Sequence, residues 1–460
     1  MEPTHFRFGG GAVETILHPL VAVWMLIAIV LIFVLPRNKA IVPFFLAFFT
    51  IPMPQVLVVG NVHLTMQQIL ILTVLVRMAV FRARPGSVGR FAGGFNILDR
   101  LVVLWSLVMA IAFCIQFFTE SQAWIRDMAT LLESLGGYLA ARFLIPDRDA
   151  ACRMIKALAF IFLFEGACMI SEQFTLRNVF EFAGGNWPSL RNGHVRSEGP
   201  IGGLYGATIA SVLLPLFLWL WREKRSLIVA CLGFAGATAM AFTSHASTTW
   251  MAYGASLLGL AFWSLRKQMR LIRWGIVFTL VGLHLVMHGP VWSLIEKIDV
   301  TGGSSNYQRY MLIDNCIRHF TDWFLLGYTQ YFDWGFGMWD LCNQFVAVAL
   351  GGGLLGLVLF ISIYSRGFGA IGDARKQADG NPREELFLWC LGSALFANVV
   401  ASFGINYVVY LQLALFALLS CISVATFGAE QVIVPEVDSA RGALLTPRTA
   451  GHYLPIRSVR

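Results

Sequence analysis

The chain has 460 residues, of which 57% are hydrophobic and only 13% are charged. A soluble domain carries about 25% charged residues, so this composition excludes an ordinary soluble protein. Apolar runs near the ~20 residues that a bilayer span needs recur along nearly the whole sequence. The sequence therefore predicts an all-α, polytopic integral membrane protein.

Thirteen candidate spans follow one another, near residues 16–35, 40–59, 64–81, 97–118, 127–145, 153–172, 200–221, 226–243, 247–265, 272–289, 341–364, 385–403 and 405–428. The first ends in PRNK without a small-residue cleavage site, which favours an uncleaved span over a signal peptide. The second contains Pro43, Pro52 and Pro54, so it is expected to be kinked or re-entrant. We predict one membrane domain over residues 1–428 with twelve or thirteen spans. The polar tail, 429–460, lacks a core-forming pattern and is predicted to be disordered.

Basic residues divide unevenly between the two sets of alternate loops. The set at 36–39, 82–100, 142–156, 222–225, 266–273 and 365–384, together with the tail and Arg77, holds 26 of the 34 Lys and Arg, and the opposite set holds the other eight. Because Lys and Arg concentrate on the cytoplasmic side, the first set is predicted to be cytoplasmic. The net charge of +8 is then a topology signal that needs no nucleic-acid partner. Two long loops, near 173–199 and 290–340, face outward, the second before the last three spans.

The second outward loop combines charges with aromatic rings in GSSNYQRYMLIDNCIRHFTDWFLLGYTQYFDWGFGMWD. Its charged candidates for a binding or catalytic role are Arg309, Arg318, His319, Asp333 and Asp340. The rings, which extend to Trp339, are typical of a membrane-interface belt. They are equally typical of faces that stack on sugar rings, so the rings alone do not discriminate.

The first outward loop ends in RNGHVRSEGPIGGLYGATIASVLLPL, with Arg196 four residues before Pro200. Gly199 and the glycines that follow remove side-chain bulk, so a ligand or another helix could approach the backbone closely. An Arg at a membrane mouth either snorkels to lipid phosphate or has a function. Two acids within spans, Glu133 and Glu165, are expected to face the bundle interior, paired or protonated.

Two cysteines, Cys316 and Cys342, belong to the second outward loop or its edge. In an oxidising compartment they could form a disulfide, but sequence does not give their separation. The chain contains no HExxH, CxxC, nucleophile elbow or phosphate-binding glycine loop. No cofactor or metal is therefore predicted.

Four segments together resemble the bacterial O-antigen ligase and polymerase superfamily. In NQFVAVALGGGLLG, the Cys342-Asn343 pair stands where that family has His-Asn, and Gly353 and Gly356 supply its GxxG. RSEGPIGGLYGATIASVLLPL is similar to the family's Arg-x-x-Gly-Pro start of a mid-chain span. SHASTTWMAYGASLLGL resembles its Ser-rich turn, and SSNYQRYMLIDNCIRHFTDWFLLGY its Ser-x-x-x-Arg stretch. The resemblance covers roughly residues 190–365, in the family's order.

The resemblance implies a metal-independent glycosyl transfer in a bacterial inner membrane, in O-antigen or exopolysaccharide synthesis. A glycan linked to undecaprenyl diphosphate is passed to an acceptor glycan hydroxyl at the periplasmic face, with other polysaccharide-assembly proteins as possible partners beside the lipid bilayer. Arginine binds phosphate oxygens bidentately and stabilises charge on a departing diphosphate. We therefore expect Arg196 and Arg309 to be catalytic, with Arg318 in reserve. His319, Asn343, Asp333, Trp339 and Gly199 are expected to bind substrate.

One departure from the family concerns the general base. The family's His is replaced by Cys342, and a thiol is a poor base near pH 7. Asp340 is the preferred replacement, with Asp333 and His319 as alternatives. The missing His favours a polymerase over a ligase that transfers to lipid A core.

Two rival functions differ in class from glycosyl transfer. A transporter or flippase for lipid-linked sugar would be expected to show internal repeats and paired broken helices, and the sequence has no clear repeat. A membrane scaffold would leave the long charged and aromatic loop unexplained.

Cysteine accessibility labelling in intact cells tests the predicted orientation. We expect an impermeant reagent to label cysteines introduced within 173–199 or 290–340, and to leave position 430 onwards unlabelled until the membrane is opened. Labelling of the tail from outside overturns this topology.

Overall fold

A computed structural model describes residues 15–60, 62–81, 89–120, 123–191, 193–224, 226–297, 305–335 and 338–427. It is 77% helical, and eight helical segments of the described chain are long and apolar enough to cross a membrane. The prediction of an all-α, polytopic membrane protein is therefore confirmed. The predicted tail, 429–460, lies outside the described residues.

The helices are, in chain order, α1 (Pro19–Val34), α2 (Arg37–Thr50), α3 (Met66–Val80), α4 (Ile97–Gln116), α5 (Ala123–Leu131), α6 (Gly137–Leu144), α7 (Arg148–Thr175), α8 (Gly203–Lys224), α9 (Leu227–Ser244), α10 (Ser247–Ala261), α11 (Met269–Val286), α12 (Leu294–Lys297), α13 (Ser305–Arg318), α14 (Phe320–Trp323), α15 (Gln344–Gln377), α16 (Pro382–Ser402) and α17 (Val409–Phe427). A π-helical turn, Leu132–Gly136, joins α5 to α6. Two antiparallel hairpins are formed by β1 (Val56–Val59) with β2 (Val62–Thr65), and by β3 (Ser189–Arg191) with β4 (His194–Arg196).

The second predicted span, 40–59, is wrong in its C-terminal half. α2 contains Pro43 and ends at Thr50, and residues 56–59 form β1 instead. Pro52 and Pro54 lie between the two elements, and proline cannot continue the hydrogen-bond ladder of a helix. The short apolar run after them pairs with β2 in a hairpin.

The helix at the eleventh predicted span, 341–364, continues beyond the C-terminal end of that span. α15 begins at Gln344 and continues to Gln377, through residues that the sequence assigned to a polar loop. Arg375 and Lys376 occupy its last turn, where cations interact favourably with the helix dipole. Gly353, with φ of 65°, interrupts the helical backbone within α15.

Small residues bring the central helices close together. α7 packs against α9, and α8 packs against α9, α10 and α16. A Cβ on Gly236 of α9 would lie 2.5 Å from the Phe162 carbonyl carbon of α7, so these two backbones meet without an intervening side chain. Such approach of helices over glycine is the common packing mode in membranes.

The second outward loop has a small apolar core of its own against α15. Cys316 of α13 and Trp323 of α14 cluster with Val346, Ala349 and Leu350 of α15. The indole Nε1 of Trp323 donates to the Cys316 carbonyl oxygen at 2.7 Å. This packing fixes α13, and therefore Arg309, over the beginning of α15.

The first outward loop turns sharply between β4 and α8. Gly199 and Gly202 have φ of 59° and 87°, a region that glycine adopts without steric cost. A Cβ on Gly203 would lie 1.8 Å from the Ser197 carbonyl oxygen. The space beside Gly203 is therefore filled by the protein's own backbone. At Gly206, Met240 of α9 and Glu165 of α7 would lie 3.0 and 3.1 Å from a Cβ, so neighbouring helices approach the backbone closely, as expected.

Replacing Gly203 with alanine tests this close approach. The added methyl group has no room beside the Ser197 oxygen, so we expect Gly203→Ala to lower the free energy of unfolding by about 1–3 kcal/mol. Gly254→Ala is the matched control, because nothing lies within 4 Å of a Cβ there and alanine favours a helix. Thermal unfolding in detergent measures both variants, and equal midpoints would contradict the contact.

Candidate functional site

The two outward loops meet over one polar cavity of about 190 Å³. Its basic and imidazole lining groups are Arg191, His194, Arg196, His245 and Arg309. Its other polar lining groups are Asp340, Cys342, Gln308, Ser247 and Thr248. Three arginines thus face one carboxylate, so the described lining favours an anion.

Arg309 is the most buried cation of this cavity, with 5% of its surface exposed. Its Nη1 donates to Asn306 Oδ1 at 2.7 Å, and its Nη2 donates to Thr248 Oγ1 at 2.9 Å and to the Gly404 carbonyl oxygen at 3.5 Å. It also hydrogen-bonds the Cys342 sulfur. Burial lowers the pKa of Arg309.

These partners of Arg309 are oxygen and sulfur atoms without formal charge. Its Nε is buried without a hydrogen-bond partner, and within the described chain it forms no ion pair with a carboxylate. Buried charges in proteins are normally paired because desolvating them is costly. The guanidinium is therefore held in place by neutral groups while its charge stays available to a ligand.

Arg196 reaches the same cavity from β4. Gln173 of α7 fixes the chain on both sides of Arg196. Its Nε2 donates to the Val195 carbonyl and to Ser197 Oγ, each at 2.8 Å. Arg196 Nε is buried and has no hydrogen-bond partner among the described residues. Burial lowers its pKa, and nearby Glu198 opposes that effect. Like Arg309, it is a partly desolvated cation without a tight carboxylate partner.

Asp340 and Cys342 line the cavity just before α15. The Asp340 carbonyl oxygen accepts hydrogen bonds from the Cys342 backbone N–H at 2.9 Å and from Gln308 Nε2 at 3.1 Å. Burial raises the pKa of Cys342 to about 11, while Arg309 acts in the opposite direction. The thiol is therefore protonated at neutral pH, as the sequence argument requires.

The possible disulfide between Cys316 and Cys342 is not formed in this structure. Both residues are free thiols. Cys316 lies in the apolar cluster with Trp323, whereas Cys342 lines the polar cavity.

Two histidines that sequence reasoning passed over lie in the cavity. His194 of β4 stacks on His245 with ring centroids 4.9 Å apart and an interplanar angle of 11°. His245 ends α9 with φ of 44°, in the left-handed region that non-glycine residues rarely adopt and that recurs at functional sites. The only sequence signal was the Ser-rich turn SHAST, which contains His245.

Five predicted substrate-binding residues are absent from the described lining of the cavity: Arg318, His319, Asp333, Trp339 and Gly199. Arg318 pairs with Asp314 at 2.6 Å. His319 stacks on Trp334 at 4.6 Å, and Trp339 is 70% exposed. Their roles towards a substrate stay predictions.

Asn343 starts α15. Its Oδ1 accepts from the backbone N–H groups of Phe345 at 2.9 Å and Val346 at 3.2 Å, which is the N-cap arrangement. The residue is 1% exposed, and its Nδ2 has no partner among the described residues. Asn343 therefore fixes the segment that carries Asp340 and Cys342.

Both acids within predicted spans face protein. Glu133 accepts from Gln68 Nε2 at 2.8 Å. Glu165 is 1% exposed, and neither of its oxygens has a hydrogen-bond partner in the described chain. Neither acid lines the polar cavity.

In the part of the chain that the structure describes, no group of three or more His, Cys, Asp or Glu is arranged to hold a metal ion. No protein-family model matches the chain, and no curated protein matches it.

Proposed function

We propose that the protein transfers a glycan from undecaprenyl diphosphate to an acceptor hydroxyl, at a site formed by the polar cavity. The observation that carries this proposal is the pair of partly desolvated arginines, Arg196 and Arg309, which line one cavity without a tight carboxylate partner. Such a pair suits a ligand with two adjacent anionic groups, as a diphosphate has.

The location of the cavity suits a lipid-linked donor. The prenyl chain of such a donor stays in the bilayer while its diphosphate lies at the interface. The cavity lies at the ends of α9 and α15, where two loops meet the helix bundle. A volume of about 190 Å³ is below the ~300–1,000 Å³ typical of sites that enclose a whole ligand. The cavity therefore fits the reacting diphosphate, with both glycans extending outside.

The arginines supply the electrostatic part of the reaction. As the glycosidic bond to phosphate breaks, negative charge grows on the leaving diphosphate. A guanidinium that is already positioned and desolvated stabilises this charge more than it stabilises the ground state. Hydrogen bonds from Arg309 to Thr248 and Asn306 hold its fork in one orientation.

Asp340 is suited to the acceptor side of the reaction. It is exposed at the cavity rim, where its carboxylate accepts a hydrogen bond from a sugar hydroxyl next to the reacting one and so orients the acceptor for attack. Cys342 is neutral and packs beside Arg309. The polymerase reaction, with a second lipid-linked glycan as acceptor in a bacterial inner membrane, is the form we favour.

Substitution of the two arginines tests the proposed donor site. We expect Arg196→Ala and Arg309→Ala each to lower the rate about thirty- to thousand-fold, which corresponds to ~2–4 kcal/mol of lost transition-state stabilisation. Arg→Lys at either position should also be impaired, because lysine lacks the bidentate fork. Polymer length and accumulated undecaprenyl-linked repeat are scored in cells at matched protein abundance.

Arg177→Ala serves as the control for this experiment. Arg177 lies in the same outward loop as Arg196, and it is exposed and outside the described cavity lining. Polymer of normal length from both cavity variants at wild-type abundance would contradict the proposed mechanism.

A second pair of variants tests the different roles of Asp340 and Cys342 at the cavity. Because the Cys342 thiol is protonated, we expect Cys342→Ser to retain most of the polymer formation. Asp340→Asn should lose more, since an amide is a weaker acceptor than a carboxylate. Polymer yield at equal abundance measures both, and the reverse order would show that the two roles are exchanged.

A further inference from the structure

We propose that His245 is the group that takes the proton from the acceptor hydroxyl, with His194 as the positioning residue stacked against it. This inference rests on the proposed glycosyl transfer and identifies the general base of the same cavity. It replaces the family's His, which is absent at Cys342, by a histidine from a different element.

His245 lies in the cavity, near the proposed diphosphate site. His245 joins α9 to α10 and lines the cavity beside Ser247 and Thr248. Thr248 in turn accepts a hydrogen bond from Arg309 at 2.9 Å. The segment that carries the imidazole therefore also binds the guanidinium of Arg309, which would hold the diphosphate.

His245 has a ring nitrogen that can accept the proton. Among the described residues, neither ring nitrogen of His245 forms a hydrogen bond, so one nitrogen of the neutral ring is free to accept a proton. Burial and the neighbouring His194 lower the pKa of His245. The ring is consequently neutral, and able to act as a base, at neutral pH.

The backbone at His245 is strained, and its surroundings hold it in place. His245 has φ of 44°, which costs free energy for a non-glycine residue. The backbone on either side is fixed, because the Ser197 N–H donates to the Thr243 carbonyl at 3.1 Å and Thr248 Oγ1 donates to the Gly404 carbonyl at 2.7 Å. The stacked ring of His194 then limits the orientation of the imidazole. A strained residue whose side chain is held in a cavity matches the pattern of a positioned catalytic group.

The acceptor oxygen forms a bond to the anomeric carbon while its proton passes to the free nitrogen of His245. The bond between the anomeric carbon and the phosphate oxygen breaks, and its electron pair leaves with undecaprenyl diphosphate. The resulting imidazolium returns its proton to solvent through the cavity mouth. No oxidant, reductant or metal enters this balance.

The charged and titratable groups that face His245 come from three elements. The β3–β4 hairpin contributes Arg191, His194 and Arg196, α13 contributes Arg309, and the segment before α15 contributes Asp340 and Cys342. Since the pKa of His245 is lowered, its base form is present above that pKa and is lost as the pH falls through it. The wild-type kcat should therefore rise with pH and level off near neutrality.

His245→Asn is the variant of choice, because asparagine tolerates positive φ but cannot accept the proton. The assay uses purified full-length protein in vesicles with an undecaprenyl-diphosphate-linked repeat as donor. We expect kcat to fall about 100-fold or more, with KM for the donor little changed and the acidic limb of the pH profile lost. In Asp340→Asn the acidic limb should persist. His288→Gln, at an exposed position outside the described lining, is the control.

Chemical rescue separates a catalytic role from a structural one. His245→Gly relieves the backbone strain and leaves room for a free imidazole. Added imidazole should restore activity to His245→Gly and leave Arg309→Ala unaffected. Binding of inorganic diphosphate, measured by calorimetry, should be retained in His245→Asn and weakened in Arg309→Ala.

The results separate the role proposed for His245 from the proposed glycosyl transfer. Wild-type rates in His245→Asn, or loss of the acidic limb in Asp340→Asn instead, overturn the role of His245 and leave the glycosyl transfer intact. A wild-type protein that does not consume the lipid-linked donor, although it is folded, overturns the proposed function and this inference with it.

Discussion

Arg309 places the strongest physical constraint on the polar cavity between the two long loops. A guanidinium that is 5% exposed has to be compensated, and in the described chain its hydrogen-bond acceptors carry no formal charge. These acceptors come from α13, from the start of α10 and from the turn between α16 and α17. With the Cys342 sulfur before α15, four parts of the chain are thus held around one cation. Its Nε has no hydrogen-bond partner among the described residues, so an anionic ligand would add to its stabilisation.

The remainder of the outward face supports this cation. The cluster of Cys316 and Trp323 on α15 fixes α13, and the Asn343 cap fixes the segment that carries Asp340. On the opposite wall, Gln173 holds the turn that follows Arg196. The tight turn at Gly199 and Gly202 brings the Ser197 carbonyl oxygen against Gly203, so this turn packs on the protein's own backbone.

The fold class could be predicted from the sequence, because bilayer spans are apolar runs of similar length. The prediction failed at 56–59, where a short apolar run is compatible with either strand or helix and the structure forms a strand of a hairpin. Arg196 and Arg309 could be singled out because charge beside a bilayer is costly and so needs a reason. His194 and His245 could not, because a single histidine carries no local signal. Their stacking depends on bringing β4 against the end of α9, which only the folded chain does.

The central claim is that the cavity between Arg196 and Arg309 binds a diphosphate. A cryo-electron microscopy map of the full-length protein in nanodiscs with undecaprenyl diphosphate tests it most directly. The account predicts phosphate density inside the cavity within hydrogen-bonding distance of both guanidinium groups, continuous with a prenyl chain that runs into the bilayer. An empty cavity, with the diphosphate bound at another part of the outward face, would contradict it.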